Sequence, residues 1–280
     1  MPELPEVETI RRGLEHYLVG HKIVDVEIRV PKLFEGNPKD VIDGKVKKVR
    51  RFGKGLVIDL SNGYSLAIHI KLTGQLIYRD KKTEDEPVSK EKVGTLPSKL
   101  THVIFELDKG ARLYYNDARR FGWIKVVKTD EVGNLPFFKS MGPEPFKDLT
   151  LEYFKKVLMN SNLAVKPLIM DQKRIGGIGN IYANDALYYA KIDPRRPAKT
   201  LKDSEIKKLY EGVHKVMEEG MKYGGSSELN YVNVLGQEGS YQDHTLAYGR
   251  QGDICERDGG RIQKIYLGGR GTYVCEKCQK

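Results

Sequence analysis

The chain opens with MPELPE, and three of these residues could do chemistry together. Pro2 follows the initiator methionine, and a small second residue normally permits methionine removal. The mature chain would then begin with a secondary amine. An α-amino group titrates at about 8, roughly two units below lysine, so more of it is free nucleophile at neutral pH. Attack of that amine on a sugar C1′ gives an iminium, which acidifies the neighbouring C2′ proton. Glu3 is adjacent and Glu6 lies one helical turn on. Carboxyls there can protonate a leaving sugar oxygen or hold a substrate. Acidic side chains also suit any helix N-terminus, so the pattern alone leaves both readings open.

The tail carries a second group, Cys255-x2-Asp258-x16-Cys275-x2-Cys278. A four-cysteine version of this spacing would be a zinc ribbon. Aspartate is a chemically reasonable fourth ligand, being an anionic oxygen donor. The chain's three cysteines all lie in the last 26 residues, which fits a local metal site in a reducing compartment and not a disulfide framework.

Three further stretches point to a polyanion. KVKKVRRFGK, Lys45 to Lys54, holds six basic residues and no acidic one. Beside DNA such a strand neutralises phosphates; otherwise it is a solvated face. DARRFG, Asp117 to Gly122, puts arginine and an aromatic on one tight loop, suited to wedging between bases and filling a vacated stack. GGIGN, Gly176 to Asn180, leads into a helical pattern, where successive glycines let backbone N–H groups approach a phosphate. The formal charge of +10 and a pI of about 9.2 agree with a nucleic-acid partner.

The elements that must position these groups follow from periodicity. Val7, Ile10, Leu14 and Leu18 recur at helical spacing over Glu3 to Gly20. From about Lys22 to Lys128 the pattern changes to β-branched and alternating runs, with turn signals at Ser61–Gly63 and Asp108–Gly110. An antiparallel sandwich or barrel is expected. Arg79 to Lys99 is charged and aperiodic, an expected exposed loop. MGPEPF marks a linker. Helices are expected near 151–159, 167–172, 181–190 and 204–223, then a mobile glycine-rich stretch over 224–243. The tail reads as two short strands between two knuckles. No apolar run approaches the roughly 20 residues of a membrane span, and the acidic start excludes a signal peptide.

In this order the pieces resemble the bacterial formamidopyrimidine-DNA glycosylases over essentially the whole chain. MPELPEVETIRRGL matches the family's opening nearly letter for letter, and GPEP, GIGNIYA, YGR, GGRGT and CxxCQ follow in register. The resemblance implies an α+β protein, with an antiparallel β-sandwich flanked by helices over 1–132 and a linker over 133–149. A helix–two-turn–helix domain over 150–247 and a zinc-finger β-hairpin over 248–280 would follow. It implies a bifunctional glycosylase and AP lyase of base excision repair. Such an enzyme excises oxidised purines, 8-oxoguanine and formamidopyrimidines, from double-stranded DNA, then cuts the strand by β,δ-elimination.

Residues carry over where the motifs match. Pro2 would be the Schiff-base nucleophile, Glu3 the proton donor and acceptor at the deoxyribose, and Glu6 a supporting carboxylate. Lys54 and Arg270 would contact phosphates at the lesion, with Asn180 and Arg250 binding the backbone. Arg119, Arg120 and Phe121 would form the intercalating loop. Leu72 stands where the family usually has methionine, and Lys71 where it has glycine. Asp185 replaces a glutamate, and the 224–242 segment, which would cap the displaced base, lacks a common arginine. One structural Zn2+ on Cys255, Asp258, Cys275 and Cys278, a monomer and a cytoplasmic bacterial location complete the expectations. An endonuclease VIII-like enzyme for oxidised pyrimidines is the nearest alternative, though that branch usually opens PEGPE. A lesion-binding protein without catalysis would keep the basic residues and need no free Pro2.

Overall fold

The computed structural model describes residues 1–280 and divides into two compact units. The first comprises 1–139 with 223–240, the second 140–222 with 241–280.

In the first unit, α1 (Leu4–Leu18) buries Leu4, Val7, Ile10, Leu14 and Leu18. The strands that follow are β1 (Ile23–Ile28), β2 (Phe34–Glu35), β3 (Val46–Phe52), β4 (Gly55–Leu60) and β5 (Tyr64–His69). After these come β6 (Gly74–Arg79), β7 (Thr101–Leu107), β8 (Arg112–Asp117) and β9 (Trp123–Lys128). They form a four-stranded sheet, β1-β7-β8-β6, and a five-stranded sheet, β2-β9-β5-β4-β3, antiparallel except for the short β2–β9 pair.

Side chains from both sheets and α1 share one core, including Ile10, Val49, Ile58, Ile68, Tyr78, Phe105 and Tyr115. This is the expected sandwich. Because successive strand residues face opposite sides, the runs LVIDL and GQLIY supply second faces as well. Val57 and Ala67 pack with Val132 and Phe138, the latter on α2 (Pro136–Lys139). Ile77, Ile104 and Tyr114 pack with Val93 and Val232.

That last cluster changes two expectations. The 79–99 stretch lacks regular structure, but Val93 and Thr83 are buried, so it is not simply exposed. Residues 223–240 belong to the first unit and bury Tyr231, Val232 and Val234, so polar composition misrepresents them as a mobile stretch. Val234 lies against Gly13, where a Cβ would come within 2.3 Å of Cγ2.

The second unit contains α3 (Leu151–Met159), α4 (Val165–Ile169), α5 (Asn180–Ala190) and α6 (Asp203–Lys222). Thr150 caps α3 by accepting the Tyr153 N–H. α5 is apolar nearly all round and buried, as its sequence of alanines and aromatics requires. α6 approaches it closely at Gly220, where a Cβ would sit 2.4 Å from the Tyr182 hydroxyl. A hairpin of β10 (Gln263–Leu267) and β11 (Arg270–Val274) closes the unit. Gly268 and Gly269, with φ of 57° and 72°, form its two-residue turn, a conformation that favours glycine.

Candidate active site and DNA-binding elements

Proline at the start of α1 and the acidic first turn place the chain's first residues in a sheltered pocket of the first unit. Pro2 is buried, and Glu3 and Glu6 are 3% and 1% exposed. Glu6 is fixed from two sides: Oε2 accepts the Glu3 N–H at 2.7 Å and Oε1 accepts the Ser226 N–H at 2.9 Å. Lys54, at the β3–β4 turn beside Gly53 (φ 53°), is also buried. The amine present is that of Met1, one residue ahead of Pro2. Burial lowers its pKa below the ordinary 8.0, opposed by Glu3 and Glu6 and assisted by Lys54. Amine, two carboxylates and lysine therefore lie within electrostatic reach of one another. Sequence gave no sign of Ser226, 220 residues away along the chain. Its hydroxyl is buried and has no protein partner.

The Leu72 turn and the DARRFG loop are joined through Asp117. This buried carboxylate accepts the Gly122 N–H at 2.8 Å and the Arg119 N–H at 3.2 Å, and receives the Thr73 hydroxyl. Gly122 has no alternative, since a Cβ there would overlap the Tyr115 hydroxyl at 1.9 Å. Arg119, Arg120 and Phe121 stand exposed, with the Arg119 guanidinium 4.7 Å from the Phe121 ring centre. Leu72 is half-buried. Lys71 has φ of 50°, which explains why a glycine suits that position. Its N–H donates to His69 Nδ1 at 2.9 Å. His69, held at a pKa of about 3 by burial and then by Lys71 and Lys54, is neutral.

The basic strand serves two purposes. Arg50 pairs with Asp59 at 2.6 Å and Arg51 with Glu8 at 2.9 Å, so these two are committed inside the unit. Lys45, Lys47 and Lys48 are exposed.

In the second unit, Asn180 opens α5 and its amide donates to the Gly271 carbonyl at 3.2 Å. The Gly176 and Gly177 N–H groups donate to Pro143 and Gln172, so these two do not face a phosphate. Lys166, a buried residue that sequence reading missed, donates to the Gly271 carbonyl at 3.0 Å and the Thr272 hydroxyl at 2.7 Å. Asn184 accepts the Tyr273 N–H at 2.7 Å. β11 is thus pinned to α4 and α5, with Arg270 exposed at its free end.

Asp185, fully buried, accepts N–H groups of Ala247 and Tyr248 and the Tyr241 hydroxyl, all at 2.9 Å. Burial pushes its carboxyl upward, although these hydrogen bonds oppose the shift. The shorter acid thus anchors the irregular segment leading to the hairpin. Arg250 pairs with Asp253 at 3.1 Å and Glu256 at 3.2 Å, within the base of the finger.

Cys255, Asp258, Cys275 and Cys278 converge, their ligand atoms all within 4.8 Å of one another. Tetrahedral zinc with bonds of about 2.3 Å to sulfur and about 2.1 Å to oxygen requires edges of about 3.8 Å (S–S) and about 3.6 Å (S–O). The Cys255–Cys278 separation is 3.8 Å, and Cys275 Sγ lies 3.5 Å from Asp258 Oδ1. Two of the six edges thus match a small tetrahedral metal, one of them to Asp258, and the four residues could hold one.

The first unit is a β-sandwich with a sheltered amine–carboxylate–lysine group, and the second a helical unit with a hairpin whose four convergent side chains could hold a metal. Comparison narrows the class. Residues 1–124 match the formamidopyrimidine-DNA glycosylase N-terminal domain and 141–231 its H2TH domain. The chain is 41% identical to the formamidopyrimidine-DNA glycosylase of Pelotomaculum thermopropionicum, covering 100% of this chain and 99% of that protein. It is 38% identical to that of Streptococcus mutans over the whole of both. Among solved structures, a complex of wild-type Lactococcus lactis Fpg (MutM) with DNA containing N7-benzyl-Fapy-dG superposes with a TM-score of 0.87 at 33% identity, covering 100% of each chain. A Lactococcus lactis Fpg complex with abasic-site DNA gives 0.87 at 32% identity, covering 99% of each. The chain belongs to the formamidopyrimidine-DNA glycosylase family. No helix is long and apolar enough to cross a membrane.

Proposed function

We propose that the protein excises oxidised purines from duplex DNA and then cleaves the strand, acting through the Pro2 amine. The supporting observation is the Met1 amine, one residue ahead of buried Pro2, held within electrostatic reach of buried Glu3, Glu6 and Lys54. The amine forms a bond to C1′ while the bond from C1′ to the base breaks, the base leaving with the electron pair and taking up the proton that the amine gives up. Glu3 protonates the ring oxygen as the sugar opens to the iminium. Loss of the C2′ proton then expels the 3′ phosphate, and a second elimination expels the 5′ phosphate. Lys54 and Arg270 hold phosphates beside the lesion, with Asn180 and Arg250 supporting the backbone. Arg119, Phe121 and Leu72 occupy the vacated stack, Arg120 and Lys71 add charge, and residues 224–240 cover the displaced base. A Zn2+ held by Cys255, Asp258, Cys275 and Cys278 would be structural, fixing the hairpin that carries Arg270. The protein acts as a cytoplasmic monomer in this reading.

Borohydride trapping on an 8-oxoguanine duplex tests the chemistry. A covalent adduct on Pro2 is expected; its absence from protein lacking Met1 would falsify the catalytic reading. Preference for thymine glycol would instead favour the pyrimidine branch. The pocket also sets a pH dependence. Burial lowers the Met1 amine's pKa below the ordinary 8.0, and Pro2 is itself buried beside it, so trapping by the mature chain is expected to rise with pH to a midpoint below 8.0. A midpoint above that value would mean the carboxylates outweigh burial in the mature chain.

Arg270→Ala is expected to weaken duplex binding and lower the slope of log affinity against log salt by about one phosphate contact. An unchanged slope would place Arg270 off the backbone.

A further inference from the structure

The long β6–β7 connection is bonded to residues 230–238 along its length. Arg79 donates to the carbonyls of Tyr78, Glu86 and Leu235, at 2.9, 3.3 and 2.8 Å. The Ser89 N–H donates to the Gly236 carbonyl at 2.8 Å, and its hydroxyl to Glu238 at 2.6 Å. Lys92 pairs with the same carboxylate. Gln75, buried on β6, donates to the carbonyls of Lys92 and Asn230, at 3.1 and 2.8 Å, tying both segments to the sheet. Val88 and Val93 pack on the same side as Val232. Gly236 (φ 73°) lies so close that a Cβ would meet Val88 at 2.8 Å.

The other end of the segment reaches the amine pocket. Ser226 donates to Glu6, and a Cβ on Gly225 would sit 2.9 Å from Glu6 Cγ. Leu229, between the two anchored ends, is 59% exposed. A short stretch with a solvent-facing apolar tip is thus held at the active site by one end and at residues 79–92 by the other.

We propose that the 79–97 connection is a clasp that preorganises residues 226–238 for contact with the displaced base, with Arg79, Ser89 and Lys92 as positioning residues. This rests on the excision reading above. A preformed cap avoids ordering a glycine-rich segment each time a base arrives, and small misplacements at a reacting centre are costly. The clasp bonds fall on 230–238 and leave the separate Ser226–Glu6 bond in place, so the clasp acts on base recognition and not on the amine. It should therefore matter where a base must be read and not where the base is already gone.

Arg79→Ala and the double variant Ser89→Ala with Lys92→Met test this. Single-turnover excision of 8-oxoguanine should slow about tenfold, while trapping at a preformed abasic site stays within about twofold. Hydrogen exchange over 228–236 should quicken. Unchanged excision, or equal slowing of excision and abasic trapping, would overturn the clasp. Should Arg79→Ala lose its fold, Glu238→Gln keeps shape, breaks only the ion pair and is read by the same ratio, with about threefold slowing expected. If the parent protein traps neither substrate, the excision reading itself fails, which separates the two outcomes.

Discussion

Retaining Met1, or adding any residue ahead of Pro2, is expected to abolish excision and trapping by at least about 10³-fold while sparing duplex binding. The reason is both electronic and geometric. With a residue attached, the Pro2 nitrogen is an amide whose lone pair is delocalised into the carbonyl. The only free α-amine is then one residue further along, displaced by up to about 3.8 Å. Glu3 and Glu6 do not follow it, because Glu6 is locked by the Glu3 and Ser226 N–H groups. An amine still present but misplaced loses alignment with the carboxylates, and misplacements of about 1 Å already cost about 10²-fold. Binding is expected to survive because the DNA contacts proposed above, Arg119, Phe121, Arg270 and the exposed lysines, lie on other elements. Mass spectrometry of the two N-terminal forms, followed by trapping of each, checks this. Equal trapping by the Met1-retaining form would remove Pro2 as the nucleophile.

What could be read in advance was local. MPELPE placed its carboxylates because helix geometry fixes neighbours three residues apart. The DARRFG loop and the knuckles were legible for the same reason, since glycine and charge in a short window limit the backbone. Partners distant in sequence were not. Ser226 meets Glu6, Lys166 meets Thr272, and Gln75 meets Asn230, and none of these pairs leaves a local pattern. Composition also misled in one direction. A glycine- and serine-rich stretch signals freedom only when nothing binds its carbonyls, and here Arg79, Ser89 and Gln75 do. Charge counting had the same limit: KVKKVRRFGK reads as uniform, yet Arg50 and Arg51 are ion-paired inside the unit. Asp185 extends the point. As a substitution it is one methylene short, but its three hydrogen bonds make it a strut for the chain entering the finger.

Asp258→Ala should reduce bound zinc from about one per chain to below about one-tenth, whereas Asp258→Cys should retain it and bind more tightly. Asp258 lies at tetrahedral-edge distance from Cys275, and its Oδ1 also accepts the Gly260 N–H at 2.8 Å, which orients the carboxylate. Removing it leaves three thiolates without a fourth protein ligand. Cysteine restores a softer donor with the same single charge, so the net charge of the site is unchanged and affinity rises. The consequence for DNA is graded, because β11 has a second set of anchors. Lys166, Asn180 and Asn184 hold Gly271, Thr272 and Tyr273 from the helices. The knuckles instead join Cys255 and Asp258, ahead of β10, to Cys275 and Cys278, after β11. Metal loss should therefore free β10 and the Gly268–Gly269 turn first, quickening hydrogen exchange there before Tyr273 and Val274. Arg270, next to that turn, would lose its fixed direction and part of its phosphate contact. Elemental analysis of the parent and both variants, read beside exchange over 255–278, decides the matter. A parent protein with less than about one-tenth zinc per chain and full protection of the hairpin would show that Lys166 and its neighbours hold the finger without metal.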